Sequence, residues 1–138
     1  MGGGHCAKAI AEACLPLDWK YSVQDSRADY ATLEGATETH HSCPNDFLEN
    51  ETQETLSRFS DILLLGHDWK EDEERLLGLL SKGYTGRLGV IGSKSKWKAF
   101  TNVALEAGID QETLDGVNCP IGLAIGAESP EEIAIAVL

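Results

Sequence analysis

The first seven residues, Met-Gly-Gly-Gly-His-Cys-Ala, have the G-x-G-x-x-A form of a dinucleotide-binding turn. In such a turn Gly2 and Gly4 let the backbone turn tightly and come close to a pyrophosphate, which faces the N-terminus of the following helix. The turn normally follows a buried β-strand, and almost no chain precedes it here. We therefore expect either a strand supplied by another segment or a chain that begins inside its own fold. The alternative is a flexible glycine-rich terminus.

An acidic residue follows where the ribose of a nucleotide would lie. Residues 7–14 predict an alanine-rich helix that ends near Pro16 and Asp18, and residues 20–24 predict a short strand that leads to Asp25. An acid about 20 residues after the glycines hydrogen-bonds a ribose hydroxyl in dinucleotide-binding folds. It would also repel a 2′-phosphate, which predicts a preference for NAD-type over NADP-type ligands. The alternative is that Asp25 only begins a polar loop.

Strands and helices alternate along the rest of the chain. The apolar pattern predicts strands at residues 61–65 and 87–91, helices at 71–82, 94–107 and 130–138, and shorter helical stretches at 51–59 and 111–114. Residues 26–50 have no sustained periodicity and predict a long irregular loop. The alternation predicts an α/β fold with a doubly wound, mainly parallel sheet in a single domain over residues 1–138. Both ends look cut, so we expect the first strand to be missing.

Charge and cysteine content narrow the function classes. The 138 residues carry a net charge of −12, which disfavours nucleic acids and anionic membranes as partners but leaves local phosphate binding open. The apolar runs are too short to cross a bilayer, and no signal peptide is visible. Four scattered cysteines without a C-x-x-C pair favour reduced thiols and a cytoplasmic location.

Residues that follow two of the predicted strands would enter the ligand crevice of such a sheet. His67 follows the strand at 61–65, either as a proton carrier and ligand group or as a hydrogen-bond partner of loop backbone. Gly92, Ser93 and Lys94 follow the strand at 87–91 and form a second candidate anion site, with Ser93 as the predicted N-cap. We interpret the nearby residues 96 and 98, both lysines, as part of a solvated helix face.

Two further groups of residues give weaker indications. His40, His41 and Cys43 are candidate metal ligands, but their spacing matches no structural zinc pattern, so we predict no metal site. Cys6, near the start of the first helix, is either a reactive thiol or a small packing residue.

The last part of the chain contains the most specific motif. Residues 120–123, Pro-Ile-Gly-Leu, precede residues 125–134, Ile-Gly-Ala-Glu-Ser-Pro-Glu-Glu-Ile-Ala. Supporting motifs lie at residues 2–5, 25–27, 30–31, 66–68 and 91–96. In sequence, order and spacing they resemble the XdhC/CoxI family, accessory proteins for xanthine and carbon monoxide dehydrogenases. The resemblance covers nearly the whole chain, although the separate N-terminal domain of the family is not within it.

The resemblance implies a Rossmann-like C-terminal domain and a role in maturing molybdenum hydroxylases of the xanthine dehydrogenase type. It implies binding of molybdenum cofactor, or of an NAD(P)-like dinucleotide, and delivery of the cofactor in its sulfurated form. A molybdoenzyme, a cysteine desulfurase and a second copy of the chain are the implied partners. The implied cofactor-binding residues are Gly2, Gly3, Gly4, His5, Asp25, Arg27, His67, Gly92, Ser93 and Lys94.

Three functions remain open from the residues alone. The first is a non-catalytic accessory domain that recognises a nucleotide or pterin phosphate. The second is a nicotinamide-dependent oxidoreductase that uses the same crevice, for which His67 is the one clear general acid. The third is an interaction module without a ligand.

Overall fold

The computed structural model describes residues 1–66, 68–92 and 94–119. The strands are β1 (Val23–Asp25), β2 (Thr39–His41), β3 (Asp61–Leu64) and β4 (Arg87–Val90). The helices are α1 (His5–Cys14), α2 (Pro44–Glu49), α3 (Gln53–Leu56), α4 (Trp69–Ser81), α5 (Lys94–Glu106) and α6 (Gln111–Asp115), with 3₁₀ turns at Leu15–Leu17 and Ala28–Tyr30. The closing motif and the helix predicted at 130–138 lie outside the described residues.

All strand pairs in the described residues are parallel. β1 pairs with β2, with Val23 opposite Thr39, and β3 pairs with β4, with Asp61 opposite Arg87. An isolated parallel bridge joins Gly89 to Asn118 on the far side of β4. Parallel strands, with α-helices between β2 and β3 and between β3 and β4, confirm the predicted α/β fold.

The first two residues connect the two strand pairs. The Gly2 N–H donates to the Gln24 carbonyl at 2.7 Å, and the Leu65 N–H donates to the Met1 carbonyl at 2.8 Å. The backbone therefore runs in the order β2, β1, Met1–Gly2, β3, β4, although no strand is assigned to Met1 or Gly2. We expected the first strand of the sheet to be missing. Met1 and Gly2 occupy its place between β1 and β3, and the chain continues from them into α1.

Helices cover both faces of the sheet. The side chains of β3 alternate, as a strand requires. Ile62 and Leu64 join a large buried cluster with α2, α3, α4 and α5, while Leu63 and Leu65 pack towards α1. The larger cluster consists of Phe47, Leu48, Leu56, Ile62, Leu64, Leu76, Leu79, Tyr84, Leu88, Val90 and Phe100. Each fully buried leucine in it contributes about 1.5–3 kcal/mol. Packing on both faces agrees with the doubly wound arrangement.

The prediction of an irregular loop over residues 26–50 was wrong, because that segment contains a 3₁₀ turn, β2 and α2. β2 has only three residues, and Thr39 and His41 are exposed, so the strand lacks the apolar pattern that identifies a buried strand. Other elements differ from their predicted bounds by a few residues. For example, α4 begins at Trp69 because Asp68 accepts a hydrogen bond from the Lys70 N–H as N-cap.

Within the described residues, no helix is both long enough and apolar enough to cross a membrane.

We expect Gly3→Ala to destabilise the fold, because a Cβ on Gly3 would overlap the carbonyl oxygen of Tyr30. The expected loss is about 3 kcal/mol, the upper range for overpacking a buried site. Gly4→Ala is the matched control: nothing lies within 4 Å of a Cβ built on Gly4, so it should cost less than about 1 kcal/mol. Urea denaturation of both variants tests this, and equal unfolding midpoints would contradict it.

Candidate functional site

The glycine turn lies at the carboxyl ends of the parallel strands, where ligands bind in open α/β sheets. Gly2, with φ at 98°, fits between the ends of β1 and β3, where a side chain would clash with Gly66 and Leu65. Gly3 is buried, and its N–H points to the Asp25 carboxylate at 2.8 Å. Gly4, by contrast, faces open space. The turn therefore packs tightly on its sheet side and is open on the side of Gly4.

The N-terminus of α1 begins at this open side. Gly4 is the N-cap and supplies no side-chain cap, and the first helical turn contains no acidic residue. His5, the first helical residue, is exposed. The positive end of the helix dipole, equivalent to about half an elementary charge, is thus not compensated by an acid of the helix itself. Such an end is suited to an anion.

Asp25 is fully engaged by protein donors. Its Oδ2 accepts from the Gly3 N–H and from Arg27 Nη2 at 3.1 Å, and its Oδ1 accepts from Arg27 Nε at 3.1 Å and the Arg27 N–H at 2.9 Å. Burial alone would raise the pKa of Asp25, but the hydrogen bonds from Arg27 and Gly3 outweigh it and lower the pKa to about 2. Four donors match the acceptor capacity of a carboxylate. Ribose binding by Asp25 stays a prediction, and it would require the displacement of one of these donors.

Arg27, rather than Asp25, is the side chain that a ligand at this strand end would meet. The Arg27 side chain is 33% exposed, whereas that of Asp25 is 1% exposed. The guanidinium carbon of Arg27 also lies 3.8 Å from the centre of the Tyr30 ring, in a cation–π contact. The ion pair with Asp25 raises the pKa of Arg27, which therefore stays charged. The pair places a fixed cation beside the glycine turn.

A second ionic cluster lies beneath the end of β3. Asp72 Oδ1 accepts hydrogen bonds from the Gly66 N–H at 3.2 Å and from Arg75 Nη1 at 2.8 Å, and Oδ2 accepts from Lys96 Nζ at 2.9 Å. Asp72 and Arg75 are 0% exposed. A Cβ on Gly66, two residues after β3, would overlap both of these charged side chains and displace them.

The same cluster also contacts β4 and β1. Lys96 Nζ donates to the Ile91 carbonyl at 2.9 Å, directly after β4, and its side chain packs against Gly92. Arg75 Nε donates to Gln24 Oε1 at 3.2 Å, in β1. Three strands are therefore connected through buried charged side chains of α4 and α5.

The sequence interpretation of Lys96 was wrong, because Lys96 is 3% exposed and ion-paired instead of lying on a solvated face. Lys94 and Lys98 are exposed, and Lys94 stays a predicted phosphate ligand at the start of α5. Sequence reasoning also missed Asp72 and Arg75. A signal was present, since positions 72 and 75 precede Leu76 and Leu79 at helical spacing and thus lie on the apolar face of α4.

Two of the predicted site residues, His67 and Ser93, lie outside the described residues. In the β2 region, His40 Nε2 lies 3.0 Å from Glu38 Oε1, and its ring packs edge-on against Phe47. His41 and Cys43 are exposed. Within residues 1–66, 68–92 and 94–119, no three His, Cys, Asp or Glu side chains are grouped so that they could hold a metal ion.

Comparison with known proteins identifies the family. The model of the XdhC Rossmann domain matches residues 1–138, the whole chain. The chain belongs to the XdhC family. The resemblance found in the sequence motifs is thereby confirmed.

Two relatives of this XdhC domain are larger proteins. One is the uncharacterized protein YqeB of Escherichia coli strain K12, which is 30% identical over 141 residues. The match covers 100% of the XdhC domain and 25% of YqeB. The other is a crystal structure described as a xanthine dehydrogenase from Bacillus halodurans, with a TM-score of 0.80 and 24% identity over 99% of the XdhC domain and 40% of that chain. This likeness supports the fold, and the XdhC domain spans less than half of either relative.

We expect the stability that Asp25 provides to be lost in acid. Its pKa is about 2 in the folded chain and 3.8 ordinarily, so the folded state favours the carboxylate. The stabilisation of about 2 kcal/mol is present above about pH 4 and is lost as the pH falls from about 4 to about 2. Urea unfolding followed by tryptophan fluorescence measures this. The free energy of unfolding of wild type should exceed that of Asp25→Asn at pH 7, and the difference should shrink below pH 4. Asp29→Asn, at an exposed site nearby, is the matched control. A difference in unfolding free energy between wild type and Asp25→Asn that does not change with pH would contradict the prediction.

Lys96→Met should destabilise the domain by about 3 kcal/mol, because it removes one partner from a buried ion pair with Asp72. Lys98→Met, on the exposed side of the same helix, should change stability by less than about 0.5 kcal/mol. Thermal denaturation of the two variants measures the difference. Equal melting temperatures would mean that the cluster contributes nothing to stability.

Proposed function

We propose that this chain is a non-catalytic accessory domain that binds a phosphate-bearing nucleotide or pterin and takes part in the maturation of molybdenum hydroxylases of the xanthine dehydrogenase type. The observation that carries the proposal is the open space in front of Gly4 at the uncapped N-terminus of α1. Membership in the XdhC family supports the biological role.

The turn fits the phosphate part of such a ligand. A Cβ at Gly2 or Gly3 would collide with the protein itself, whereas a Cβ at Gly4 would enter open space. A glycine there has no internal packing reason, but it is needed if a pyrophosphate approaches the backbone. The backbone at Gly4 and His5 would hold the phosphates. Lys94, together with Gly92 and Ser93 of the second turn, is the proposed additional contact.

The fit extends to the dinucleotide form of the molybdenum cofactor, which has the same pyrophosphate. When bound, this cofactor supplies the molybdenum centre that the partner enzyme needs for hydroxylation. In this proposal the residues of the accessory domain bind and orient the cofactor for transfer, and a xanthine dehydrogenase-type enzyme receives it. The sulfurated form, a cysteine desulfurase and self-association belong to the same proposal.

The net charge of −12 does not oppose this function locally. At the strand ends Asp25 faces Arg27, and Asp72 faces Arg75 and Lys96. A phosphate at the α1 N-terminus would therefore meet carboxylates that are already paired with cations.

Gly4→Ala should weaken the binding of phosphate ligands at least tenfold while leaving the fold intact, because its methyl group would occupy the space of the phosphate. Calorimetric titration with pyrophosphate, ADP, CDP, NAD and NADP measures this. Gly116→Ala is the control, since Gly116 ends α6 with φ at −79° and a Cβ there makes only an ordinary contact with the Thr113 carbonyl.

Failure of every ligand to bind wild type would overturn the proposal and leave the interaction module. Unchanged ligand affinity in Gly4→Ala would mean that the ligand binds somewhere other than the glycine turn. Oxidation of NADH or NADPH with a carbonyl substrate would instead support an oxidoreductase. Mass spectrometry of ligands retained by the gently purified protein, with a molybdenum assay of the same sample, identifies the natural ligand.

A further inference from the structure

Two buried polar atoms face each other without a hydrogen-bond partner among the described residues. They are Glu71 Oε2 and Arg75 Nη2, which lie 3.7 Å apart. This separation is longer than a direct hydrogen bond. Buried polar groups are rarely left unsatisfied, because each such group costs free energy. The gap between these two atoms therefore points to a third group that binds there.

The remaining polar atoms of both side chains are occupied. Ser26 Oγ donates to Glu71 Oε1 at 2.6 Å. Arg75 uses Nε for Gln24 and Nη1 for Asp72, and its side chain is 0% exposed. The side chain of Glu71 is 20% exposed although its Oε2 atom is itself buried, so a ligand would reach the pair through a shift of the Glu71 side chain. Oε2 and Nη2 thus form an ion pair with each other, and both retain hydrogen-bonding capacity that no described residue uses.

The pair lies where the sugar of a nucleotide is expected. Ser26 follows Asp25 directly, and this strand end carries the acidic residue that binds ribose in dinucleotide-binding folds. Both oxygens of Asp25 are already occupied by Gly3 and Arg27. The carboxylate oxygen that remains at this place is Oε2 of Glu71.

We propose that Glu71 and Arg75 together bind one ribose hydroxyl of the ligand, with Glu71 Oε2 as acceptor and Arg75 Nη2 as donor. This inference rests on the proposed function and specifies the sugar that the site takes. A hydroxyl both donates and accepts, and one oxygen can lie about 2.8 Å from each of two atoms that are 3.7 Å apart.

Other groups fit this gap less well. A phosphate would be repelled by Glu71, an ammonium group would be repelled by Arg75, and a methyl group would leave both atoms unsatisfied. The proposal therefore selects ribonucleotides over deoxyribonucleotides, and it assigns that selection to a residue of α4 instead of Asp25.

The test compares ribose with deoxyribose on matched variants. ADP, CDP and their 2′-deoxy and 3′-deoxy forms are titrated by calorimetry into wild type, Glu71→Ala, Glu71→Gln and Glu73→Gln. Glu73 belongs to the same helix and makes no hydrogen bond through its side chain within the described residues, so it serves as the control. In wild type, one of the deoxy forms should bind about tenfold more weakly than the ribonucleotide, the effect of losing a hydrogen bond to charged groups. That ratio should fall close to one in Glu71→Ala, fall partly in Glu71→Gln and persist in Glu73→Gln.

The outcomes separate this inference from the proposed function. Equal binding of ribose and deoxyribose forms to wild type would mean that a buried water alone fills the gap, and would overturn the inference while nucleotide binding stands. If the tenfold ratio of ribose to deoxyribose affinity persisted in Glu71→Ala, the inference would also be overturned, and the hydroxyl would bind another acceptor. Absence of any nucleotide binding to wild type would overturn both.

Discussion

The carboxylate of Asp72 accepts hydrogen bonds from the backbone after β3, from its own helix through Arg75, and from α5 through Lys96. Through these two cations it is also linked to Gln24 in β1 and to the carbonyl of Ile91 after β4. One buried anion therefore connects α4 and α5 to β1, to β4 and to the backbone after β3. If Asp72 were uncharged, Lys96 would lose its buried counter-ion, Arg75 would keep only Glu71, and three strands would lose their common attachment.

Stability alone is a poor reason for such a cluster. Transfer of charged groups from water to the interior costs several kcal/mol per ion, and apolar residues of similar volume often serve as well or better. Leu64, Leu76 and Val90 already form a buried core beside it. What an apolar replacement could not supply is the directed contact with the Gly66 N–H and the Ile91 carbonyl. The cluster thus fixes the backbone after β3 and β4. A ligand site at these strand ends needs such fixed groups, because its side chains should not reorganise on binding.

The sequence predicted the parts of this domain that depend on short-range patterns. The apolar run at residues 61–65 and the acidic start of α4 identified a buried strand and a helix, because each carries its own periodicity or dipole signal. β2 could not be found this way, since its pairing with β1 comes from the backbone and not from apolar side chains. The partners of Asp25 were also missed. Gly3, 22 residues away in sequence, fills one acceptor position, and only the fold brings the two together.

The contacts of the Asp25 carboxylate change the electrostatic field that a ligand would meet at this strand end. An isolated Asp25 would repel a phosphate 4 Å away by about 4 kcal/mol at an effective dielectric constant near 20. The bidentate contact with Arg27 cancels most of that repulsion, and Arg27 is the more exposed partner. The charge of Asp25 therefore does not by itself support the predicted discrimination against NADP-type ligands, which stays a prediction. In the proposed site, discrimination at this strand end comes instead from Glu71 and Arg75, which would bind a sugar hydroxyl and repel a phosphate at the same place.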